Sequence, residues 1–267
     1  KTSLRDNFLQ LITGLLIFMS INGCNTRIQG CLDVNAANFN LNAEQSCDGC
    51  CTYPSLSLSL TQKWGERNFS TMDTLYDIDG KAYKLNSLVY FLSDWTWVDG
   101  QGIRYHVDSL NVACQEGDLK YSPDNLLVDT EHFTYTMGLY RQSPVIDSLR
   151  FIIGLTQDFS CLDAENTGTP PELTDQSPLW NSRSETLESI RLVIQQDIAV
   201  ESFDTLFISD EAISTLAYPF EFTPGENSQF KLTVDYSLWF ADVISTDTAS
   251  FRQSIISNFA TSISRTQ

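Results

Sequence analysis

The stretch KAYKLNSLVYFLSDWTWV, residues 81–98, decides the fold class of this chain. It is dense in aromatic and β-branched residues, which favour β-strands over helices. The turn pairs Asp79-Gly80 and Asp99-Gly100 bound it on both sides. The stretch therefore predicts a long strand, and with it a protein built from β-sheet.

The same kind of segment recurs on both sides of this stretch. LSLSL at 56–60 alternates apolar and polar residues strictly, as a half-buried strand does. Turn signals at Pro170-Pro171 and Pro224-Gly225 separate the later segments. The further predicted strands are SLRFIIGL at 148–155, SIRLVIQ at 189–195, DTLFIS at 204–209 and FKLTVDYSLWF at 230–240.

One helix is predicted near the end of the chain, over 248–263. Apolar side chains recur there at spacings of three and four, at Phe251, Ile255, Ile256 and Phe259. Because helices do not alternate with strands, a parallel α/β fold is disfavoured. We predict an all-β fold, an antiparallel β-sandwich of Ig-like or jelly-roll-like type, with a small disulfide-stapled N-terminal segment and one C-terminal helix.

The chain begins with a segment typical of a signal peptide. Lys1 and Arg5 precede a mostly apolar run from Phe8 to Ile21, shorter than the roughly 20 residues of a membrane-spanning helix. The sequence Ile21-Asn22-Gly23-Cys24 resembles the lipobox of bacterial lipoproteins. The resemblance implies a signal peptide over residues 1–23, a lipid on Cys24, and anchoring to the outer membrane, either periplasmic or surface-exposed. A plain N-terminal helix or a buried strand is the alternative.

The composition excludes some classes of partner. The formal net charge of −18 repels phosphate backbones, so we expect no nucleic-acid binding. The same charge gives no attraction to anionic headgroups, so membrane contact is expected through the N-terminal lipid alone. With 42% hydrophobic residues the chain can build a core, and disorder is not expected.

Besides Cys24 the chain has six cysteines. An even number in an exported chain predicts disulfides, with fifteen possible pairings. The candidates are Cys31, Cys47, Cys50, Cys51, Cys114 and Cys161. We expect the last two to pair, since both belong to the large domain. The competing hypothesis is a metal centre at Cys47, Cys50 and Cys51, but zinc needs four ligands and the chain has no second Cys-x-x-Cys.

The segment GCLDVNAANFNLNAEQSCDGCCTYP, residues 30–54, resembles a short motif of surface and secreted proteins of Bacteroidetes-type bacteria. The matching residues are Gly30, Cys31, Asp33, Ala36, Asn38, Phe39, Asn40, Ala43, Gly49, Cys51 and Tyr53. The resemblance implies a bridge from Cys31 to Cys51 or to Cys50.

Part of this segment also has the spacing of a calcium loop. Positions one, three, seven and twelve of such a loop fall on Asp33, Asn35, Phe39 (through its carbonyl) and Glu44. Ala37 occupies position five, and Asn38 replaces the usual glycine. We therefore expect a solvated polar loop here rather than a calcium site.

The large second segment resembles the MbnP-like domain family of exported proteins. Its opening, LSLTQKWGERNFSTMDTLYDIDGKAYKLNSLVYFLSDWTWVDGQG, matches the family at Gly65, Phe69, Tyr76, Gly80, Leu88, Tyr90, Phe91, Leu92, Ser93 and Asp94. A second block matches at Leu127, Val128, Asp129, Ser148, Phe151 and Gly154. FKLTVDYSLWF and ISNFATSI resemble the closing strand and helix of the family. The resemblance covers most of residues 55–267, and it leaves 24–54 as an anchor linker with the Cys-rich motif.

The resemblance implies a β-sandwich that binds copper in some members. The family's early histidine falls on Gln62, which is a poor copper ligand. Its tryptophan-rich stretch is reduced to SPLWN, with Trp180. In some members a haem enzyme modifies a tryptophan, which makes a haem peroxidase-like enzyme a candidate partner. For the tryptophans of this chain we expect core and rim positions instead.

Two functional hypotheses follow. The chain contains no Gly-x-Ser-x-Gly, no His-Glu-x-x-His and no Gly-rich phosphate loop, and we expect no enzyme activity. The first hypothesis is a lipid-anchored binding protein for a ligand or protein partner at the cell envelope. The alternative is a copper-binding protein whose site has moved to His106 or His132.

Overall fold

The structure is a computed structural model that describes residues 27–47, 49–102, 125–139, 146–155, 170–209, 214–223 and 225–266, and the backbone of 104–106, 110–114 and 117–121. The strands of the first half are β1 Gln29–Gly30, β2 Gln45–Ser46, β3 Ser55–Trp64, β4 Arg67–Asn68, β5 Leu75–Tyr76, β6 Ala82–Asp99, β7 Arg104–His106, β8 Leu110–Cys114, β9 Gly117–Tyr121, β10 Leu126–Asp129 and β11 Thr134–Leu139.

The second half contains further strands and the helices. The strands are β12 Ile146–Ile153, β13 Trp180–Asn181, β14 Thr186–Leu187, β15 Ile190–Gln195, β16 Asp204–Ile208, β17 Ser214–Pro219, β18 Ser228–Asp235 and β19 Ile263–Arg265. The helices are a 3₁₀ turn at Pro171–Leu173, α1 Tyr236–Trp239 and α2 Thr248–Ser262. The predicted all-β fold with its C-terminal helix is confirmed.

The larger sheet is organised around β6. Strand β15 pairs with the first half of β6, from Lys84 to Tyr90, and β12 pairs with the second half, from Leu92 to Asp99. β16 lies beyond β15, and β17 lies beyond β12. β5, β7 and β10 also pair with β6. The 18-residue strand is therefore the centre to which the other strands of this sheet are attached.

The second sheet has the order β11, β3, β18, β19, with β4 as a hairpin partner of β3. All described pairs in the two large sheets are antiparallel except β3 with β18, which is parallel over Leu56–Lys63. These two strands are distant in the sequence, so no tight turn dictates their relative direction. The antiparallel prediction holds for the rest of the sandwich.

The core lies between the two sheets and is closed by α2. Strand β3 contributes Leu56, Leu58 and Leu60, which alternate with exposed or half-exposed residues as the sequence predicts. Helix α2 begins at the cap Asp247, whose carboxylate accepts from the Ala249 N–H. Its buried face carries Phe251, Ile255 and Phe259. The helix thus packs into the core with the apolar face that its spacing predicts.

The predicted strand over 230–240 is wrong in its last part. Strand β18 ends at Asp235, and residues Tyr236–Trp239 form the short helix α1. The Asp235 carboxylate accepts from the Ser237 N–H at 3.0 Å and from the Gly65 N–H at 2.9 Å. The pattern of apolar residues continues through this point, but the cap at Asp235 turns the backbone into a helix.

The N-terminal segment is stapled by two disulfides, Cys31–Cys51 and Cys47–Cys50. The first is one of the two bridges that the motif resemblance implied. Asn38 ties the segment together further, because its amide donates to the Cys50 carbonyl at 2.7 Å and accepts from the Thr52 N–H at 2.9 Å. The Tyr53 hydroxyl donates to Asp33 at 2.9 Å. Motif residues therefore hold one another in place.

Among the described residues, the structure contains no helix long and apolar enough to cross a membrane. The predicted signal peptide 1–23 and the lipidation site Cys24 lie outside the described residues.

Candidate functional site

Gln62 is buried in the sandwich with 4% of its surface exposed. It lies on β3. Its Nε2 donates to the Asp129 carbonyl at 2.8 Å and to the His132 carbonyl at 3.2 Å. Its Oε1 accepts from the Tyr236 hydroxyl at 3.1 Å. Since both amide hydrogens and the oxygen are used, Gln62 joins three parts of the fold.

Two buried tyrosines extend this network into the core. The Tyr236 hydroxyl donates to Gln62, so the Tyr90 hydroxyl, 3.2 Å away, donates to Tyr236. Burial raises the pKa of both hydroxyls well above that of an exposed tyrosine. Burial also raises the pKa of the neighbouring Tyr135 to about 12. These hydroxyls therefore stay protonated near neutral pH and serve as hydrogen-bond partners.

At the surface end of the network, Asp129 and His132 form a pair. The His132 Nδ1 lies 2.7 Å from the Asp129 Oδ2, and 67% of the His132 side chain is exposed. Burial acts to raise the pKa of Asp129. The N–H donors of Glu131 and His132 and the His132 ring outweigh it and hold the pKa below its usual value. The carboxylate is thus ionised at neutral pH and orients the imidazole.

The other candidate histidine, His106, lies on β7, far from this pair. His106 is opposite Thr96 of β6, whereas Asp129 is opposite Val89. Residues 89 and 96 are seven positions apart, which is roughly 20 Å along a strand. Strand β10 also runs away from Thr96 as it approaches His132. One metal ion therefore does not take both histidines, and each would need other ligands.

The described residues contain no group of three or more His, Cys, Asp or Glu side chains arranged to hold a metal ion. Cys47, Cys50 and Cys51, the alternative metal ligands, are all in disulfides. Of the predicted pair Cys114 and Cys161, the first lies on β8 and the second outside the described residues. Their pairing stays a prediction.

Both carboxylate oxygens of Asp33, the first position of the calcium-loop pattern, accept hydrogen bonds. Oδ1 accepts from the Asn35 N–H and Oδ2 from the Tyr53 hydroxyl, each at 2.9 Å. The backbone N–H of Asn35 and the Tyr53 hydroxyl lower the Asp33 pKa. Asp33 thus has a clear role in holding the N-terminal segment together.

A cleft of about 830 Å³ lies between a hairpin and the edge of the large sheet. The hairpin is made of β13 and β14, and the sheet edge is β16 with its neighbour β15. Eight of the thirteen lining residues are polar or charged. A lining of this kind suits a polar ligand better than an apolar one, because its polar groups need hydrogen-bond partners.

Three arginines from three elements line the cleft: Arg183, Arg191 and Arg252. Arg191 lies directly opposite Phe207 in the β15–β16 pair, so the two side chains rise from the same face. Arg252 reaches over from α2, and its Nη2 donates to the Phe207 carbonyl at 2.7 Å. Against these three cations the lining contains one carboxylate, Asp204.

The hairpin that presents Arg183 is fixed by buried groups. The Asn181 amide donates to the Glu188 carboxylate at 2.9 Å, and Glu188 is 7% exposed. The Asn181 side-chain oxygen accepts from the Arg183 N–H at 3.2 Å. Leu179 packs into an apolar cluster on the outer face of the sheet with Phe91. Trp180 lines the cleft. Its neighbours on both sides are fixed, Leu179 by apolar packing and Asn181 by hydrogen bonds.

No protein-family model matches the sequence, and no curated protein matches it. Among solved structures, this chain is similar to MbnP from Methylosinus trichosporium, at 13% sequence identity and a TM-score of 0.45. The match covers 72% of this chain and 79% of that one.

Sequence reasoning did not find the arginine cleft. Arg183 lies in a hairpin loop, Arg191 on a strand and Arg252 on a helix, and each one resembles an ordinary surface arginine. The sequence offers one indication, the scarcity of cationic residues, since the chain has 16 Lys and Arg against 34 Asp and Glu. Three arginines in a single cleft of so acidic a chain are unexpected. Their convergence depends on the tertiary fold.

For the network, we predict that Gln62→Leu lowers the free energy of unfolding by about 2 kcal/mol. The change removes the amide donors to two carbonyls and the acceptor of the buried Tyr236 hydroxyl. Urea unfolding followed by tryptophan fluorescence measures it. The matched control is Gln229→Leu, an exposed glutamine on β18, expected to change stability by less than about 0.5 kcal/mol. Equal effects of both changes would contradict a structural role for Gln62.

Proposed function

We propose that this chain is a lipid-anchored, non-enzymatic binding protein of the bacterial cell envelope, and that its ligand or partner binds in the arginine cleft. The observation that carries the proposal is the cleft itself. It combines three guanidinium groups with a polar lining in a chain of net charge −18. A cluster of positive groups on a protein of negative net charge favours recognition of a specific anionic group.

Two features support the envelope location. The lipobox-like sequence ending at Cys24 agrees with export and lipidation. The two disulfides of the N-terminal segment are typical of proteins that fold in an oxidising compartment. The segment follows the proposed anchor directly, and it would connect the lipid to the β-sandwich.

The binding role is tested by a thermal-shift screen of small anionic, neutral and cationic solutes. We expect anionic solutes to raise the melting temperature of the wild type and to lose this effect in Arg191→Glu, because ligands stabilise the state they bind. Arg67→Glu is the matched control, since Arg67 is exposed on the second sheet and pairs with Asp73. If no solute distinguishes the two variants, the cleft is not the binding site.

The anchor is tested in a Gram-negative host grown with labelled palmitate. We expect the full chain to incorporate the label and to fractionate with membranes, whereas Cys24→Ser stays unlabelled, because the cysteine sulfur is the proposed site of attachment. The control is Asn25→Ser, at the position after Cys24, which should remain labelled. Label that persists in Cys24→Ser would rule out this anchor.

The alternative function, copper binding at a moved site, is supported by the Asp129–His132 pair. A carboxylate that holds one ring nitrogen of an exposed histidine leaves the other nitrogen, Nε2, oriented toward a ligand, as at many metal sites. His106 is the second candidate ligand, at a separate place on β7. Further ligands would be needed at either position.

This alternative is tested by titrating the oxidised chain from residue 25 onward with Cu(I) and Cu(II). Stoichiometric binding that disappears in His132→Ala, or in His106→Ala, would establish the copper role and locate the site. Each histidine variant acts as the control for the other, because His106 and Asp129, the partner of His132, lie opposite β6 residues that are roughly 20 Å apart. Copper binding no stronger than nonspecific binding to an acidic protein surface would rule out the copper role.

A further inference from the structure

The geometry points to a carboxylate-bearing saccharide as the ligand of the arginine cleft, a short sugar chain that contains one or two uronic acid units. This inference rests on the proposed binding function and specifies its ligand. Three properties of the cleft lead to it: the type of cation, the aromatic residues beside the cations, and the charge of the surrounding surface.

The cations are arginines, and their chemistry matches a carboxylate. A guanidinium group offers parallel N–H donors that bind both oxygens of a planar carboxylate at once. Arg191 rises beside Phe207 from β15, and Arg252 holds the Phe207 carbonyl from α2, so the two arginines approach the same strand residue from different elements. Arg183 lines the cleft from the hairpin. A charged ligand group in the cleft would meet donors from more than one side.

The aromatic residues of the lining match the apolar face of a sugar ring. Trp180 is half-buried in the hairpin, and Phe203, before β16, is 46% exposed. Pyranose rings present a face of C–H groups, and a flat aromatic ring provides a large apolar contact area for such a face. The hydroxyl and amide groups of Ser182, Asn181 and Thr205 lie in the same cleft and suit the sugar hydroxyls.

The surrounding charge limits how anionic the ligand is. A net charge of −18 disfavours the approach of a long, densely charged polymer such as nucleic acid or a heavily sulfated glycan. Asp204, in the lining, and Glu188, beneath Asn181, reduce the positive potential further. A saccharide with few carboxylates can bind the arginines while the acidic protein surface repels it less than it repels a densely charged polymer. Sparse charge on a neutral sugar chain is therefore favoured.

The test is calorimetric titration of the full mature chain with a trisaccharide containing one glucuronic acid unit. A trisaccharide with glucose in place of the glucuronic acid is the neutral match. We expect the acidic sugar to bind and the neutral sugar to bind at least about tenfold more weakly. Arg191→Ala and Arg191→Lys should each weaken the acidic sugar by about tenfold, since a charge-assisted hydrogen bond is lost or its fork geometry is destroyed. Arg67→Ala should leave the affinity unchanged.

A second readout does not depend on affinity. The indole N–H resonance of Trp180, assigned by its loss in Trp180→Phe, should shift on addition of the acidic sugar. Equal binding of the two sugars would overturn the carboxylate assignment. If an acidic peptide binds in an Arg191-dependent manner and the acidic sugar does not, the saccharide inference is wrong while the binding role of the cleft stands. If no anion binds at Arg191, both are wrong.

Discussion

The burial of both faces of β6 is the constraint on which the rest of the structure depends. From Leu88 to Ser93 this strand is buried at every position. Leu88, Tyr90 and Leu92 face the second sheet, whereas Val89 and Phe91 lie in a separate apolar cluster with Leu155, Leu173 and Leu179. A continuous apolar run is stable in a sheet only if something covers each face. The sandwich covers one face, and the segment 170–189 covers part of the other.

The cleft depends on the segment 170–189, which covers part of the outer face of β6. The hairpin of β13 and β14 is attached to the outer face through Leu179, and its loop projects beside the edge strand β16. Leu179 belongs to the apolar cluster, whereas the neighbouring residues Asn181, Ser182 and Arg183 line the cleft. Edge strands leave backbone groups unpaired, and Arg252 satisfies one of them at the Phe207 carbonyl. The same arginine then contributes charge to the cleft.

The network around Gln62 has a different role. It links the ends of β3 and β10 to helix α1 through hydrogen bonds in which each polar group has a partner. Such fully satisfied networks fix one arrangement of strands, because a shift in register would leave buried donors and acceptors unpaired. The Asp129–His132 pair lies at the solvent-exposed end of the same network.

The sequence by itself determined the elements whose pattern is local. The alternation of LSLSL, the aromatic run of residues 81–98 and the spacing of Phe251, Ile255 and Phe259 depend on neighbouring residues alone. They predicted β6 and α2 to within one residue at each end, whereas β3 continues four residues beyond its predicted end. Tertiary structure decided the parallel pairing of β3 with β18 and the helix Tyr236–Trp239. It also decided the convergence of Arg183, Arg191 and Arg252. Each of these depends on packing between distant segments, which no local pattern records.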